Sequence, residues 1–163
     1  MKYRKLNLNE LEGLQEDFVH FLSANTVTAD DWEMIKQADA NLAGEMIEVF
    51  SDIVWERILA KITYVRLVKR EMIRVMYFGE EKVEMIQLKI EDPDFDFSNP
   101  DQIRSIAEGT ADLKSLDPEM IKGTKTYSES RDLELFMALE GGNQPTDEVF
   151  WRAFKSMVVE EPE

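Results

Sequence analysis

Residues 62–90 read ITYVRLVKREMIRVMYFGEEKVEMIQLKI, and this stretch decides the predicted fold. Apolar and polar residues alternate along it with a period of two, which is typical of strands with one buried face. The alternation is interrupted at Lys69-Arg70-Glu71 and at Gly79-Glu80-Glu81. Because both connections are short, neighbouring strands should be antiparallel. The sequence therefore predicts a three-stranded meander: Ile62–Val68, Met72–Phe78 and Val83–Ile90.

Alternation within each strand divides the side chains between two faces. The face expected to meet the core carries Val65, Leu67, Ile73, Val75, Tyr77, Ile86, Leu88 and Ile90. The other face carries the candidate partner-binding or ligand-binding residues Tyr64, Arg66, Arg74, Met76, Met85 and Lys89, together with Ile62, Val68, Met72, Phe78, Val83 and Gln87. Methionine suits adaptable contacts, and residues 61–89 have a net charge of +3 in a chain of −15. The alternative is that C-terminal helices cover this face and pair their acids with its bases.

Helical periodicity predicts three helices before the meander. Asn7 with Glu10, and Thr28 with Asp31, have the spacing of capping boxes. The predicted helices run over Leu8–Ala24, from Thr28 to about Gln37, and from Asp39 to about Ala60.

Proline and glycine punctuate the chain after the meander. Asn99-Pro100 is expected to start a short helix that ends near Glu108, and Asp117-Pro118 offers a second start. Gly123 to Ser128 reads as a loop. Two helices should close the chain, one over Glu129–Glu140 and one after a Thr146 cap.

These elements predict an α+β fold in which N-terminal helices precede the meander and C-terminal helices pack on the sheet. The length favours a single domain over residues 1–159. The acidic tail, residues 160–163, is expected to be disordered.

Charge and cysteine content argue against several classes of protein. The chain has 163 residues, a net charge of −15 and no cysteine. A strongly acidic chain repels nucleic-acid phosphates and anionic lipid. Without cysteine it has no thiolate nucleophile and no cysteine-ligated metal. No apolar run approaches a membrane span, and no apolar signal-peptide core follows the basic start. We therefore expect a cytoplasmic protein that binds neither nucleic acid nor membrane.

Patterns for metal sites are incomplete. The single His20 follows Asp17 at the spacing of a bundle metal ligand, but no second motif of this kind exists. The run Glu91–Asp96 resembles the start of a calcium loop, yet Phe97 occupies the position of the essential glycine. We expect an acidic surface loop there, with Phe95 and Phe97 on the core, and neither metal nor cofactor. A stripe of acids on the third helix is expected to face solvent: Glu45, Glu48, Asp52 and Glu56.

Arg57 is unusual because helical spacing places it on an apolar stripe with Met46, Phe50 and Val54. An arginine there either extends to solvent along its aliphatic stem or pairs with an acid. We expect a structural ion pair, and an anion-binding role is the alternative.

Three segments read YRKL at 3–6, FSDIVWE at 50–56 and SRDLELF at 130–136. Together they resemble a family of small, acidic, uncharacterised bacterial proteins, a domain of unknown function. The resemblance implies that one such domain covers most of the chain, and it implies no activity. The closing helix pair also resembles short helical hairpins that mediate oligomerisation.

Three classes of function remain. A protein–protein interaction module of adaptor or regulatory type ranks first, acting on a partner protein or as a homo-oligomer through the sheet face or the C-terminal helices. The alternative is a domain that binds a small anion through Arg66, Arg74 and Arg57. An enzyme with a carboxylate-based site ranks third, because neither a nucleophile–base pair nor a metal set can be assembled.

Overall fold

The computed structural model describes residues 1–159 and has the predicted α+β class. The predicted disorder of the tail concerns residues 160–163, which lie outside the described part. The helices are α1 (Leu8–Gly13), α2 (Gln15–Ala24), α3 (Ala29–Ala38), α4 (Ala40–Leu59), α5 (Pro100–Ala107), α6 (Leu113–Leu116), α7 (Arg131–Glu140) and α8 (Glu148–Val159). The strands are β1 (Tyr64–Lys69), β2 (Met72–Phe78), β3 (Lys82–Lys89), β4 (Glu119–Thr126) and β5 (Gln144–Thr146).

The chain divides into two compact units, residues 1–59 with α1 to α4 and the residues from 60 onward with the sheet. Whether the two units form one domain stays a prediction. None of the helices in residues 1–159 is both long enough and apolar enough to cross a membrane.

Both predicted capping boxes are present in the helical unit. The Asn7 side chain accepts from the backbone N–H of Glu10, and the Thr28 side chain accepts from that of Asp31. The predicted single helix over Leu8–Ala24 is wrong, because the chain leaves helical geometry at Leu14, directly after Gly13. Glycine is a poor helix former, so the break falls where the sequence is weakest.

The acidic stripe of α4 contacts the N-terminal segment and is only partly in solvent, which corrects the prediction that it faces solvent. Asp52 accepts from the backbone N–H groups of Lys2 and Tyr3 at 2.7 and 3.0 Å. Glu48 and Glu56 pair with the basic side chains of this segment, at 3.1 Å to Lys5 and 3.3 Å to Lys2 respectively. The segments at 3–6 and 50–56, which carried the resemblance, are therefore in contact.

The predicted meander of β1, β2 and β3 is confirmed, and two further strands extend it to the order β4-β3-β2-β1-β5. The predicted helix start at Asp117-Pro118 and the loop from Gly123 are wrong. Asp117 instead has a φ of 46° after α6, and residues 119–126 pair with the whole of β3. This strand carries polar residues on both faces and a glycine, so its alternation is weak, and long-range pairing decides its structure.

The register of β1 against β2 corrects the predicted faces. Lys69 pairs with Met72, so the turn contains two residues and the first strand is displaced by one position. A shift of one residue moves every side chain to the opposite face. Val65 and Leu67 therefore share a face with Met76 and Arg74. The other face, here called the inner face, carries Tyr64, Arg66, Val68, Ile73, Val75, Tyr77, Ile86 and Leu88.

Helices α5 and α8 cover the inner face and close the core of the sheet unit. Ile73, Val75 and Leu88 are fully buried there, in one cluster with Trp151 and Phe154 of α8. The predicted burial of Phe95 and Phe97 is confirmed, and the two rings pack edge to face at 4.9 Å. The C-terminal helix α8 thus packs on the sheet, as predicted, but on the face opposite to Arg74.

Candidate partner-binding face

The sheet surface opposite α8 carries a cluster of methionines. On β2 and β3, Met76 pairs with Met85, Arg74 with Gln87, and Met72 with Lys89. The edge strand β4 adds Glu119, Ile121 and Gly123. We call this surface the outer face and define it by these residues: Met72, Arg74, Met76, Met85, Gln87, Lys89, Glu119, Ile121 and Gly123. Ile121 is exposed, and the residues of β2 and β3 are half-buried.

Arg74 lies at the centre of the outer face and is held by a neutral partner. Its Nε and Nη2 donate to Oε1 of Gln87 at 3.0 and 2.8 Å. Within the described residues Arg74 forms no ion pair, whereas the neighbouring Lys89 pairs with Glu91. The guanidinium is therefore oriented while its charge stays uncompensated.

Gly123 gives Met85 room on the outer face. A Cβ atom at Gly123 would lie 3.3 Å from the terminal methyl of Met85. That distance is tighter than an ordinary contact, so the methionine side chain uses the space that the missing side chain leaves. The sequence contained no clear signal for β4, because Met120 and Ile121 are adjacent apolar residues and Lys122 and Gly123 follow them without alternation.

Two predicted binding residues lie on the inner face instead. The Tyr64 ring lies 5.3 Å from that of Tyr77 and 6.5 Å from that of Trp151. Arg66 places its guanidinium 5.0 Å from the centroid of the Phe150 ring. Its Nε is buried and has no hydrogen-bond partner within residues 1–159. Tyr64 and Arg66 therefore belong to the contact between the sheet and α8.

Arg57 is 69% exposed, which corrects its predicted place on the core-facing stripe. Its Nη1 lies 4.0 Å from Asp17, a contact at the limit of an ion pair. Phe50 and Val54 of the stripe are buried without Arg57, and Phe50 packs against Phe18 and Phe21 of α2. Among the residues that the structure describes, Asp17 is the ion-pair partner of Arg57, and it lies in the first turn of α2.

A cavity of about 300 Å³ lies on the inner face beside α8. Lys82 and Lys155 approach Glu84 there at 3.3 and 3.5 Å. Burial raises the pKa of Glu84, but the two lysines outweigh it and lower the pKa below its ordinary value. The carboxylate thus pairs with Lys82 and Lys155, and a third lysine, Lys122, also lines the cavity.

The remaining polar patterns do not converge. His20 is exposed on α2. Asp92 and Asp96 accept from the backbone N–H groups of Asp94 and Ser98, so the acidic loop binds its own backbone. In the part of the chain that the structure describes, no three histidine, aspartate or glutamate side chains are arranged to hold a metal ion.

Comparison with known protein families places the chain. A family described as "Family of unknown function (DUF6495)" matches residues 1–159. No curated protein and no solved structure matches the chain. The resemblance inferred from three segments is confirmed to the extent that the chain is a domain of unknown function.

Proposed function

Because the chain belongs to this family of unknown function, its role must be argued from geometry, and we propose that it is a protein-interaction module. Its binding surface is the outer face. The partner supplies a carboxylate flanked by apolar side chains. We place this module in the cytoplasm, in agreement with its cysteine-free composition.

The uncompensated charge of Arg74 carries this proposal. A guanidinium that is oriented before binding loses little conformational freedom when it meets a carboxylate. Charge-assisted hydrogen bonds contribute about 1.5–3 kcal/mol each when they are partly shielded from water. The acid that complements Arg74 is supplied by the partner, since Gln87 is its described hydrogen-bond acceptor.

The methionines around Arg74 supply the apolar part of the surface. Met72, Met76 and Met85 are half-buried on two adjacent strands. Unbranched thioether side chains repack around different shapes, which is why methionine recurs at adaptable interfaces. An acidic residue of the partner that is flanked by apolar side chains would contact both Arg74 and the methionines.

A small anion is a weaker candidate for the same surface. Arg66 and Arg74 lie on opposite faces of the sheet, because Leu67 and not Arg66 pairs with Arg74. One anion bound to the outer face therefore contacts Arg74 without Arg66. A protein segment, which adds apolar contacts, uses more of the outer face than an anion does.

The test compares captured partners between matched charge reversals. The tagged full chain and its Arg74→Glu and Arg104→Glu variants are incubated with lysate of the native cell, and captured proteins are quantified by mass spectrometry. Arg104 is the control because it is an exposed arginine on α5 that pairs with Asp101. The recovery of a true partner should fall at least tenfold with Arg74→Glu, which corresponds to about 1.4 kcal/mol or more of binding free energy. Its recovery should not change with Arg104→Glu.

Two results would contradict the proposal. Equal recovery of every captured protein by the wild type and Arg74→Glu would place the interaction elsewhere. Stabilisation of the wild type by phosphate or acetate, lost in Arg74→Glu and accompanied by no captured protein, would favour the anion. If the Arg74→Glu variant does not fold, the Ile121→Asp variant tests the same face, because Ile121 is an exposed residue of the edge strand β4.

A further inference from the structure

The helical unit contains an open apolar groove between α2 and α3, separate from the outer face. The groove has a volume of about 600 Å³. Its walls and floor are apolar: Leu11, Phe18, Leu22, Val27, Trp32 and Ile47.

Aromatic packing holds the groove open. The Phe18 ring packs edge to face against Trp32 at 5.2 Å and against Phe50 at 5.0 Å. These contacts fix α2 and α3 on α4. Val19 lies at the rim and is 58% exposed. An apolar side chain exposed beside an apolar cavity gains free energy when a second apolar surface covers both.

Acidic residues dominate the polar rim of the groove. Asp30 and Glu33 of α3 line it, and the single lysine of α3, Lys36, is paired with Glu33 at 2.6 Å. Glu12 and Glu16 are exposed and follow the lining residues Leu11 and Gln15 in sequence. Residues 1–59 carry twelve acidic and five basic side chains, which gives this unit a net charge of −7. The groove is therefore an apolar cleft in a negative field.

We propose that this groove binds an amphipathic helix of a partner protein, with an apolar stripe in the cleft and lysine or arginine residues along its flanks. The ten-residue α2 is about 15 Å long, which matches about three turns of a bound helix. Apolar residues at positions i, i+3 or i+4 and i+7 would reach the cleft. Basic flanks would meet the acidic rim. This proposal goes beyond the outer face and does not depend on it.

The test uses defined peptides and the full chain. A labelled 14-residue peptide of leucine and lysine, with leucine at helical spacing, is compared by fluorescence anisotropy with its leucine–glutamate counterpart. A third peptide has the leucine–lysine composition in an order without helical spacing. The spaced leucine–lysine peptide should bind at least tenfold more tightly than either of the other two. Equal binding of both leucine–lysine peptides would mean that composition and net charge, and not helical spacing, determine the affinity, and it would overturn the proposal.

Matched variants locate the binding. Val19→Asp places a charge at the rim, whereas Met34→Asp makes the same kind of change on α3 at a residue that is 60% exposed and does not line the groove. Val19→Asp should weaken binding of the spaced peptide at least tenfold, and Met34→Asp less than threefold. Equal losses would overturn the proposal.

A second pair of variants keeps the test independent of the Val19 change. Asp30→Lys with Glu33→Lys should weaken binding of the spaced peptide, and the double variant should begin to bind the leucine–glutamate peptide. Glu45→Lys, on an exposed part of α4 outside the groove, is the control. An unchanged peptide preference in the double variant would overturn the proposal. Binding of dodecanoate without any binding of the spaced peptide would overturn it in favour of a small apolar ligand.

Discussion

Arg74 donates two hydrogen bonds to a single oxygen atom of Gln87, from Nε at 3.0 Å and from Nη2 at 2.8 Å. The bonds join β2 to β3 across the outer face. Because the acceptor is a neutral amide, the guanidinium is oriented, but its positive charge is not paired with a negative one. A carboxylate in the place of this amide would have neutralised the guanidinium charge.

Gln87→Glu should weaken partner binding while it preserves the shape of the outer face. The new carboxylate would form an ion pair with Arg74 inside the sheet and compete with the acid of the partner. We expect partner affinity to fall at least tenfold and the urea midpoint of unfolding to stay equal or rise. Gln37→Glu, an exposed change of the same charge on α3, is the control. Undiminished affinity in Gln87→Glu would show that the charge of Arg74 is not used.

Arg66 should respond to substitution differently from Arg74, because its Nε is buried without a hydrogen bond. Arg66→Met removes this unsatisfied group and keeps an apolar stem on Phe150, so the free energy of unfolding should change by less than about 1 kcal/mol. Arg66→Glu places a carboxylate in the same surroundings and should cost about 2–4 kcal/mol. Urea unfolding of both variants checks this. Similar stabilities would mean that the Arg66 side chain is freely solvated.

The contrast between Arg66 and Arg74 shows what sequence periodicity predicts and what it does not. Alternation correctly divides the side chains within each strand, since it reflects which residues are buried. It does not give the length of the turn between strands. A two-residue turn in place of a three-residue one moved Arg66 to the inner face and Leu67 to the outer face. The methionines, Arg74 and Lys89 kept their predicted face because the predicted strands end at Phe78 and begin at Val83, two residues that pair in the structure.

The capping boxes, which nearby residues determine, were predicted well, whereas strand β4, which distant pairing determines, was not. The capping boxes at Asn7 and Thr28 involve residues three apart, so their spacing is visible in sequence. Strand β4 exists because it pairs with β3, whose residues lie 30 to 44 positions earlier in the chain. Residues 1–5 lie along the acidic stripe of α4, and this contact was not predicted. The opposite charges of the two segments, which are visible in the sequence, could have indicated it.

Removal of the Asp52 carboxylate should detach the N-terminal segment from α4. Asp52 accepts from the backbone N–H groups of Lys2 and Tyr3, and hydrogen bonds to charged groups contribute about 1.5–3 kcal/mol. Asp52→Ala should lower the free energy of unfolding by about 2 kcal/mol and speed proteolysis after Lys2 and Lys5. Glu45→Ala removes an exposed acid from the same helix and should change stability by less than about 0.5 kcal/mol. Equal effects would mean that these hydrogen bonds do not hold the segment.

The two capping boxes should contribute similar amounts to stability. Asn7→Ala and Thr28→Ala each leave helix N–H groups without an acceptor and should each cost about 1 kcal/mol. Asn9→Ala, at an exposed position inside α1, is the control and should be neutral or slightly stabilising, because alanine favours helix. Urea midpoints of the three variants test this. A midpoint that is unchanged in Asn7→Ala or in Thr28→Ala would contradict the role of that cap.

Glu10 should make the stability of the helical unit depend on acid pH. Its two oxygens accept from Arg4 Nη1 and Nη2, both at 2.7 Å, and one of them also accepts from the backbone N–H of Asn7 at 2.8 Å. The hydrogen bonds from Arg4, followed by that from Asn7, lower the pKa of Glu10 from its ordinary 4.5 to about 2. Since the pKa in the folded chain lies below that of the unfolded chain, ionised Glu10 stabilises the fold fully above about pH 4.5. This stabilisation is lost as the pH falls from there towards about 2.

Glu10→Gln isolates this contribution, because glutamine still reaches the backbone of Asn7 but forms no ion pair with Arg4. At pH 7 the variant should be less stable than the wild type by about 1 kcal/mol, the value typical of a well-aligned, partly exposed pair. The difference should shrink below about pH 4.5 and close near pH 2, which urea unfolding at pH 7, 4, 3 and 2 would measure. Glu12→Gln, at an exposed glutamate of the same helix, gives the effect of removing a carboxylate that has no described partner. A Glu10→Gln difference that stayed constant from pH 7 to pH 2 would show that Arg4 does not act through the charge of Glu10.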